Sequence, residues 1–93
     1  MTVVQVPGRD AGKVKLYALS TCGWCKKTKD LLDNLGVAYE YEYVDLLSGE
    51  EREKVVQEIT AWNPSRNFPT MVINDERCIV GFVENEIREA LGS

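Results

Sequence analysis

The chain has 93 residues, of which 44% are hydrophobic and 28% are charged, and its formal net charge is −4. A chain of this length and composition is expected to fold as one globular domain rather than as two domains or a disordered segment. The acidic balance argues against binding to a phosphate backbone, and no apolar run approaches the roughly 20 residues of a membrane-spanning helix, so we expect neither a nucleic-acid partner nor a membrane segment.

The first elements are a possible extension, a strand and a helix. Residues 1-13 contain several valines ahead of a Pro-Gly break and predict either an added strand or a flexible extension. The domain proper is predicted to span 14-93. Val14–Leu19 is short and rich in β-branched and aromatic residues, as in a buried strand. Apolar residues then recur at helical spacing from Thr28 to Leu35, and Gly36 is placed to end that helix in a left-handed conformation.

The middle of the chain predicts a strand and a second helix. Residues 38–45 alternate tyrosine with glutamate and predict a strand, which we place at the edge of the sheet with its tyrosines packed on one face. Ser48 and Glu51 form a capping-box pattern at the start of a helix. Asn63 and Pro64 are expected to end that helix.

The last third predicts a β-hairpin and a C-terminal helix. The hairpin strands are Thr70–Ile73 and Arg77–Val80, and the helix is expected to end at Gly92. The resulting order is β-α-β-α-β-β-α. We therefore predict an α/β fold with a four-stranded mixed sheet flanked by helices.

Two cysteines, Cys22 and Cys25, lie where the first strand meets the first helix. Residues three apart share one face of a helix, so the two sulfurs can form a disulfide with little backbone movement. Cys22 at the helix start lies near unpaired backbone N–H groups and the positive end of the helix dipole, which favour a thiolate. We predict that Cys22 attacks a substrate disulfide and that Cys25 resolves the mixed disulfide. Three lysines add positive charge nearby and are expected to face solvent: Lys26, Lys27 and Lys29.

A zinc site and a structural disulfide are the alternatives to a redox pair. The chain has no histidine and only Cys78 beyond the pair, so it lacks the four ligands of a structural zinc site. A disulfide across so short a loop would restrict the unfolded chain little. Three cysteines, two of them within one tetrapeptide, do not match the even, dispersed pattern of a disulfide-stapled secreted domain, so we expect a cytoplasmic monomer. We expect no metal and no tightly bound cofactor, with the Cys22–Cys25 disulfide as the redox group and Cys78 as a small buried hydrophobe.

Three stretches resemble the glutaredoxin branch of the thioredoxin superfamily: LYALSTCGWCKKTKDLLDNLGV, NFPTMVIND and IVGF. The resemblance implies a thioredoxin-like fold and a cis peptide bond between Phe68 and Pro69, with Pro69 beside Cys22. In such a fold Trp24, Phe68 and Phe82 lie around Cys22. Our hypothesis is that they form an apolar collar that docks protein substrates, with Arg66 steering an acidic partner. The substrate-binding residues that we predict are Trp24, Phe68, Pro69, Thr70, Gly81 and Phe82.

Two departures from the family pattern bear on the source of electrons. Glutathione-using glutaredoxins typically have a lysine where this chain has Leu19, and an aspartate pair where it has Val83 and Glu84. In this the chain is similar to redoxins that donate electrons to ribonucleotide reductase. We therefore predict an electron carrier that reduces protein disulfides, with ribonucleotide reductase as a candidate substrate and a flavoprotein or ferredoxin-type disulfide reductase as donor. Two alternatives stay open: a glutathione-dependent glutaredoxin, and an iron–sulfur cluster binding module that uses Cys22.

Overall fold

Five strands form one mixed sheet in the order β1-β3-β2-β4-β5 in the computed structural model, which describes residues 3–65 and 67–92. Strand β3 runs parallel to β2, and the other neighbouring strands are antiparallel. The sheet with flanking helices that the sequence predicts is thus present. The elements are β1 (Val4–Val6), β2 (Val14–Ala18), α1 (Gly23–Leu35), β3 (Tyr39–Tyr43), a 3₁₀ turn (Val44–Leu46), α2 (Gly49–Trp62), β4 (Thr70–Ile73), β5 (Arg77–Val80), α3 (Glu84–Ile87) and a π-helical turn (Arg88–Gly92).

The N-terminal segment changes the edge of the sheet. Strand β1 pairs antiparallel with β3, with Val4 opposite Tyr41. The Arg9 N–H donates to the Gly36 carbonyl and the Arg9 carbonyl accepts from the Ala38 N–H, which fixes the rest of the segment beside the end of α1. The prediction of an edge position for β3 in a four-stranded sheet is therefore wrong, because the added strand covers it.

The two faces of the sheet bury different helices because side chains alternate along each strand. On one face Leu16 packs with Leu32 of α1 and Ile87 of α3. On the other face Tyr17 packs with Ile59 of α2. Within the described ranges, no helix is long and apolar enough to cross a membrane.

The predicted end of α1 is confirmed, whereas the predicted start of α2 is wrong in detail. Gly36 has a φ of 70°, and its N–H donates to the carbonyls of Leu32 and Asp33 at 3.1 Å. Ser48 is the N-cap of α2, but its side chain makes no capping hydrogen bond. Gly49 follows with a φ of 61°, so the first turn lacks the regular geometry of a capping box.

The hairpin between β4 and β5 is present as predicted. Its turn contains Asn74 with a φ of 55° and Asp75 with a φ of 53°. Two consecutive left-handed residues are the geometry of a type I′ turn, which matches the twist of the flanking strands. Asn and Asp accept this conformation more readily than other residues with a side chain.

Candidate active site

The loop between β2 and α1 is fixed by hydrogen bonds at both of its ends. The Cys22 N–H donates to the Leu19 carbonyl at 3.2 Å. The Ser20 N–H and hydroxyl both donate to the Asp45 carboxylate, at 2.9 and 2.5 Å. These hydrogen bonds from Ser20 lower the pKa of Asp45. The loop that leads to the first cysteine is thus held by a residue from the end of the neighbouring parallel strand.

Cys22 is the N-cap of α1 and its thiol is partly exposed. The residue has an extended backbone, with φ −89° and ψ 119°, and its Sγ accepts a hydrogen bond from the Cys25 N–H at 3.1 Å. This N–H belongs to the first turn, which has no intrahelical acceptor for it. The partly exposed sulfur is thus held at the helix start by a backbone donor.

Cys25 lies one turn further along α1 and is only 1% exposed. Burial, followed by the hydrogen bond with Cys22, raises the pKa of Cys25 to about 12. Both residues are free cysteines, as is Cys78 in β5, which is half-buried and not fully buried as predicted, and whose thiol pKa is raised by burial. The site therefore combines one accessible thiol with one buried thiol whose pKa is raised.

An aromatic pair lies at the start of α1. Trp24 is 58% exposed and stacks on Phe82, with ring centroids 6.0 Å apart and an interplanar angle of 27°. The Lys27 ammonium lies 4.7 Å from the centre of the Trp24 ring. Phe68 is half-buried and packs against the cores on both faces of the sheet. The three aromatic residues of the predicted collar are thus partly exposed, whereas Arg66 lies outside the described residues.

The other predicted substrate-binding residues lie at the start of β4 and just after β5. The Phe68–Pro69 peptide bond is cis, and the Pro69 carbonyl accepts from the Gly81 N–H at 2.8 Å. Thr70 is fully buried, and its hydroxyl donates to the Asn67 carbonyl at 2.6 Å. Pro69 is also buried, so these two side chains shape the loop before β4 rather than project from it.

The prediction that Lys29 faces solvent is wrong. Its ammonium donates to the Tyr43 hydroxyl at 2.9 Å and lies 3.9 Å from the centre of the Tyr41 ring. Burial alone would lower the pKa of Lys29, but the hydrogen bond and the charges of the two tyrosines raise it overall. Lys29 thus packs on the tyrosine face of β3 instead of facing solvent.

The comparisons with known proteins decide the family. A family model described as Glutaredoxin matches residues 14–78. The chain belongs to the glutaredoxin family. The glutaredoxin from Methanosarcina mazei Go1 has 57% sequence identity and a TM-score of 0.91, covering 100% of this chain and 90% of that one. Methanoredoxin from Methanosarcina acetivorans has 56% identity and a TM-score of 0.89, covering 92% of this chain and 90% of that one.

A curated relative is also similar along most of its length. It is an uncharacterized glutaredoxin-like 8.6 kDa protein in the rubredoxin operon of Clostridium pasteurianum, 32% identical over 74 residues, which are 80% of this chain and 91% of the relative. The predicted family and the thioredoxin-like fold are thereby confirmed. Members of the glutaredoxin family are thiol-disulfide oxidoreductases, and this chain has the Cys22–Cys25 pair at the start of α1.

Sequence reasoning missed one residue of this glutaredoxin's site, Asp45. A usable signal was present, because the carboxyl ends of parallel strands meet at one edge of a sheet, and Ser20 and Asp45 follow the two parallel strands. In residues 3–65 and 67–92 no group of three or more cysteine, aspartate or glutamate side chains is arranged to hold a metal ion.

Proposed function

We propose that this glutaredoxin reduces disulfides in protein substrates, with Cys22 as nucleophile and Cys25 as resolving thiol. The observation that carries the proposal is the pairing of an accessible N-cap thiol, Cys22, with a buried thiol, Cys25, whose N–H hydrogen-bonds to it. In a reducing compartment such as the cytoplasm this pair would stand ready as a dithiol.

The reaction proceeds in two exchanges. The Cys22 thiolate attacks one sulfur of the substrate disulfide, forming a mixed disulfide and releasing the first substrate thiolate, which takes up a proton. Cys25 then loses its proton and attacks Cys22 Sγ, forming the Cys22–Cys25 disulfide and releasing the second substrate thiolate. Counted from the dithiol, the glutaredoxin loses two electrons and two protons, because the Cys22 proton passes to solvent when its thiolate forms and the Cys25 proton when that thiol attacks. The substrate gains the two electrons and takes up two protons.

The raised pKa of Cys25 supports this order of events. While Cys22 is a thiolate, its hydrogen bond and its negative charge add to the effect of burial on the Cys25 thiol. In the mixed disulfide that charge is gone, so the same thiol becomes easier to deprotonate. Cys25 therefore stays a neutral thiol during the first exchange and becomes a nucleophile for the second.

A protein partner is supported by what lies exposed beside Cys22. The Trp24–Phe82 pair offers aromatic surface of the kind enriched at protein interfaces. The backbone N–H and carbonyl of Phe68 make no hydrogen bond in the described part of the chain, which leaves them free for a substrate strand.

The electron donor in this proposal is a disulfide reductase of the flavoprotein or ferredoxin type, not glutathione. Leu19, half-buried beside the Cys22 loop, has no charge with which to bind a glutathione carboxylate. At the start of α3, Val83 is exposed and apolar. Both positions thus lack the charged groups with which glutathione-using members of the family hold that peptide.

A single-turnover assay tests the reaction. The chain is reduced, freed of reductant and mixed with a protein that has one accessible disulfide. We expect one substrate disulfide reduced for each chain oxidised, no reduction by Cys22→Ser, and an unchanged yield for the control Cys78→Ser. Substrate reduction by Cys22→Ser at the parent rate would refute the proposal. Glutathione supplied as the sole reductant is expected to regenerate the oxidised chain far more slowly than a dithiol.

A further inference from the structure

An apolar groove opens next to the Cys22 loop, between that loop, the 3₁₀ turn and α2. Its volume is about 250 Å³. The floor consists of Val44 and Ile59, which are 4% and 1% exposed. The walls are the partly exposed side chains of the loop, of α2 and of the segment before β4. The lining residues are Leu19, Val44, Asp45, Arg52, Val56, Ile59 and Phe68.

The groove is continuous with the reactive cysteine. Leu19 lines both the groove and the cleft that contains Cys22, and its carbonyl accepts the Cys22 N–H at 3.2 Å. Strand β2 pairs with β4 so that Tyr17 lies opposite Thr70. Leu19 follows β2 and Phe68 precedes β4, so both lie at the same end of this strand pair, and both line the groove. A substrate chain bonded to Cys22 Sγ and paired with the free backbone of Phe68 therefore passes over the mouth of the groove.

The charge of the groove favours an uncharged occupant. Its lining contains one carboxylate, Asp45, and one guanidinium, Arg52, so the two formal charges cancel. The Asp45 carboxylate already accepts two hydrogen bonds from Ser20, and the charge of Arg52 contributes to its lowered pKa. An anion that approaches Arg52 also faces the Asp45 carboxylate, and a cation that approaches Asp45 also faces Arg52, so neither recovers on entering the water that it loses.

The size of the groove favours a single side chain. Sites for drug-sized ligands and cofactors occupy about 300–1,000 Å³, and this groove is smaller than that range. Five of the seven lining residues are apolar, which suits an aliphatic or aromatic group.

We propose that the groove binds one apolar side chain of the protein substrate, next to the disulfide that Cys22 attacks, and that Leu19, Val56 and Phe68 select for it. This inference rests on the proposed reduction of protein disulfides. Leu19 has no charge with which to bind a carboxylate. In this proposal its apolar side chain contributes instead to the binding of an apolar group.

The test is a set of peptides that each contain one intramolecular disulfide. The residues flanking the cysteines are alanine, and a single leucine or aspartate is moved through these positions. The rate constant kcat/KM for reduction is measured for each peptide. At one position we expect leucine to exceed aspartate by about tenfold, the scale on which an apolar pocket discriminates. The rate constant for the all-alanine peptide measures disulfide reduction when no large side chain is available to enter the groove.

Two variants of α2 locate the preference. Val56→Lys places a charge on the groove wall and is expected to reduce the leucine-to-aspartate ratio to about twofold or less. Gln57→Lys adds the same charge at the next, exposed position of the helix and is expected to leave the ratio unchanged. The position scan needs only the unaltered chain, so it decides the question even if Val56→Lys folds poorly.

The outcomes separate the two proposals. Equal rates for leucine and aspartate at every position, or faster reduction of an aspartate peptide, would overturn the groove proposal while leaving disulfide reduction intact. Reduction of no peptide, the all-alanine one included, would overturn both. A ratio that changes equally in Val56→Lys and Gln57→Lys would assign the preference to overall charge and not to the groove.

Discussion

Asp45 and the first turn of α1 hold the reactive thiol from two directions. The Asp45 carboxylate accepts two hydrogen bonds from Ser20, two residues before Cys22, and the Cys25 N–H donates to Cys22 Sγ. The hydrogen bonds from Ser20 fix the loop, and the hydrogen bond from the Cys25 N–H is made to the sulfur itself. Asp45 touches neither cysteine through any of these hydrogen bonds, so we expect it to act as a positioning residue.

Replacing Asp45 with alanine tests this role. A hydrogen bond contributes about 0.5–1.5 kcal/mol, and solvent access puts these near the lower end. Losing both, about 1 kcal/mol together, corresponds to a fall in Tm of about 4–8 °C in a domain of this size. We also expect slower reaction of Cys22 with a disulfide, with partial recovery in Asp45→Asn, which keeps one acceptor. The control is Asp30→Ala, which removes an equal charge beside the Cys22 cleft. Equal effects of both alanine variants on Tm and rate would contradict the positioning role.

At the level of elements, the end of α1 depends on the conformation of one residue. Gly36 has a φ of 70°, and a Cβ placed there would meet no atom within 4 Å. Any cost of a side chain at this position is therefore conformational and not steric contact with a neighbour. The same open space surrounds Gly23 at the start of the helix, where φ is not positive.

These two glycines give a matched pair of substitutions. Gly36→Ala is expected to destabilise the chain by about 1–2 kcal/mol, because an L-residue is disfavoured in the left-handed region. Gly23→Ala is expected to have no destabilising effect, because alanine is the better helix former by about 0.5–1 kcal/mol. Urea denaturation monitored by circular dichroism gives both values. A Gly36→Ala variant as stable as the parent would show that the cap does not limit the end of α1.

Local signals in the sequence were sufficient for some elements and insufficient for others. Gly36 and the Asn74–Asp75 turn act through their own backbone conformation, so the sequence carries the information. The predicted capping box at Ser48 failed because Gly49 takes a left-handed conformation that the pattern does not encode. Lys29 was misplaced because its partners, Tyr41 and Tyr43, are brought to it only by packing of β3 against α1.

At the level of the whole molecule, the features that could not be predicted from the sequence depend on contacts between residues far apart in the chain. Strand β1 has three residues and is too short for a clear pattern, yet it covers β3. Arg9 joins this N-terminal segment to the last turn, because its guanidinium donates to the Leu91 carbonyl at 2.7 Å. The Trp24–Phe82 stack likewise joins two helix starts that are far apart in the chain. The cysteine pair, by contrast, is a local motif, and its place at a strand-to-helix junction could be predicted.

Two tyrosine hydroxyls and one thiol that are neutral and buried in the folded chain predict how stability depends on pH. Burial and the nearby Glu58 raise the pKa of Tyr17, and burial and the hydrogen bond to Asp33 raise the pKa of Tyr39. Burial first, then Cys22, raises the pKa of Cys25 to about 12. A group whose pKa is raised by folding stabilises the native state below its unfolded pKa, and that contribution is lost as pH rises towards the folded value.

We therefore expect the free energy of unfolding of the reduced chain to fall as pH rises from about 9 towards 12. Urea midpoints measured across this range under reducing conditions give the dependence. In Tyr39→Phe the free energy of unfolding should fall less over this range, because the variant lacks one of the hydroxyls that must stay neutral in the folded chain. A stability that is flat or rising over this interval would contradict the account.

The roles of Cys22 as nucleophile and Cys25 as resolving thiol are tested most directly by trapping the mixed disulfide with the substrate. Cys25→Ser protein, in which the second exchange cannot occur, is mixed with a protein disulfide, and the product is analysed by mass spectrometry and peptide mapping. We predict a covalent adduct whose disulfide joins the substrate to Cys22, and no such adduct with Cys22→Ser. An adduct at Cys78, or no adduct under conditions in which the parent chain reduces the same substrate, would contradict these roles.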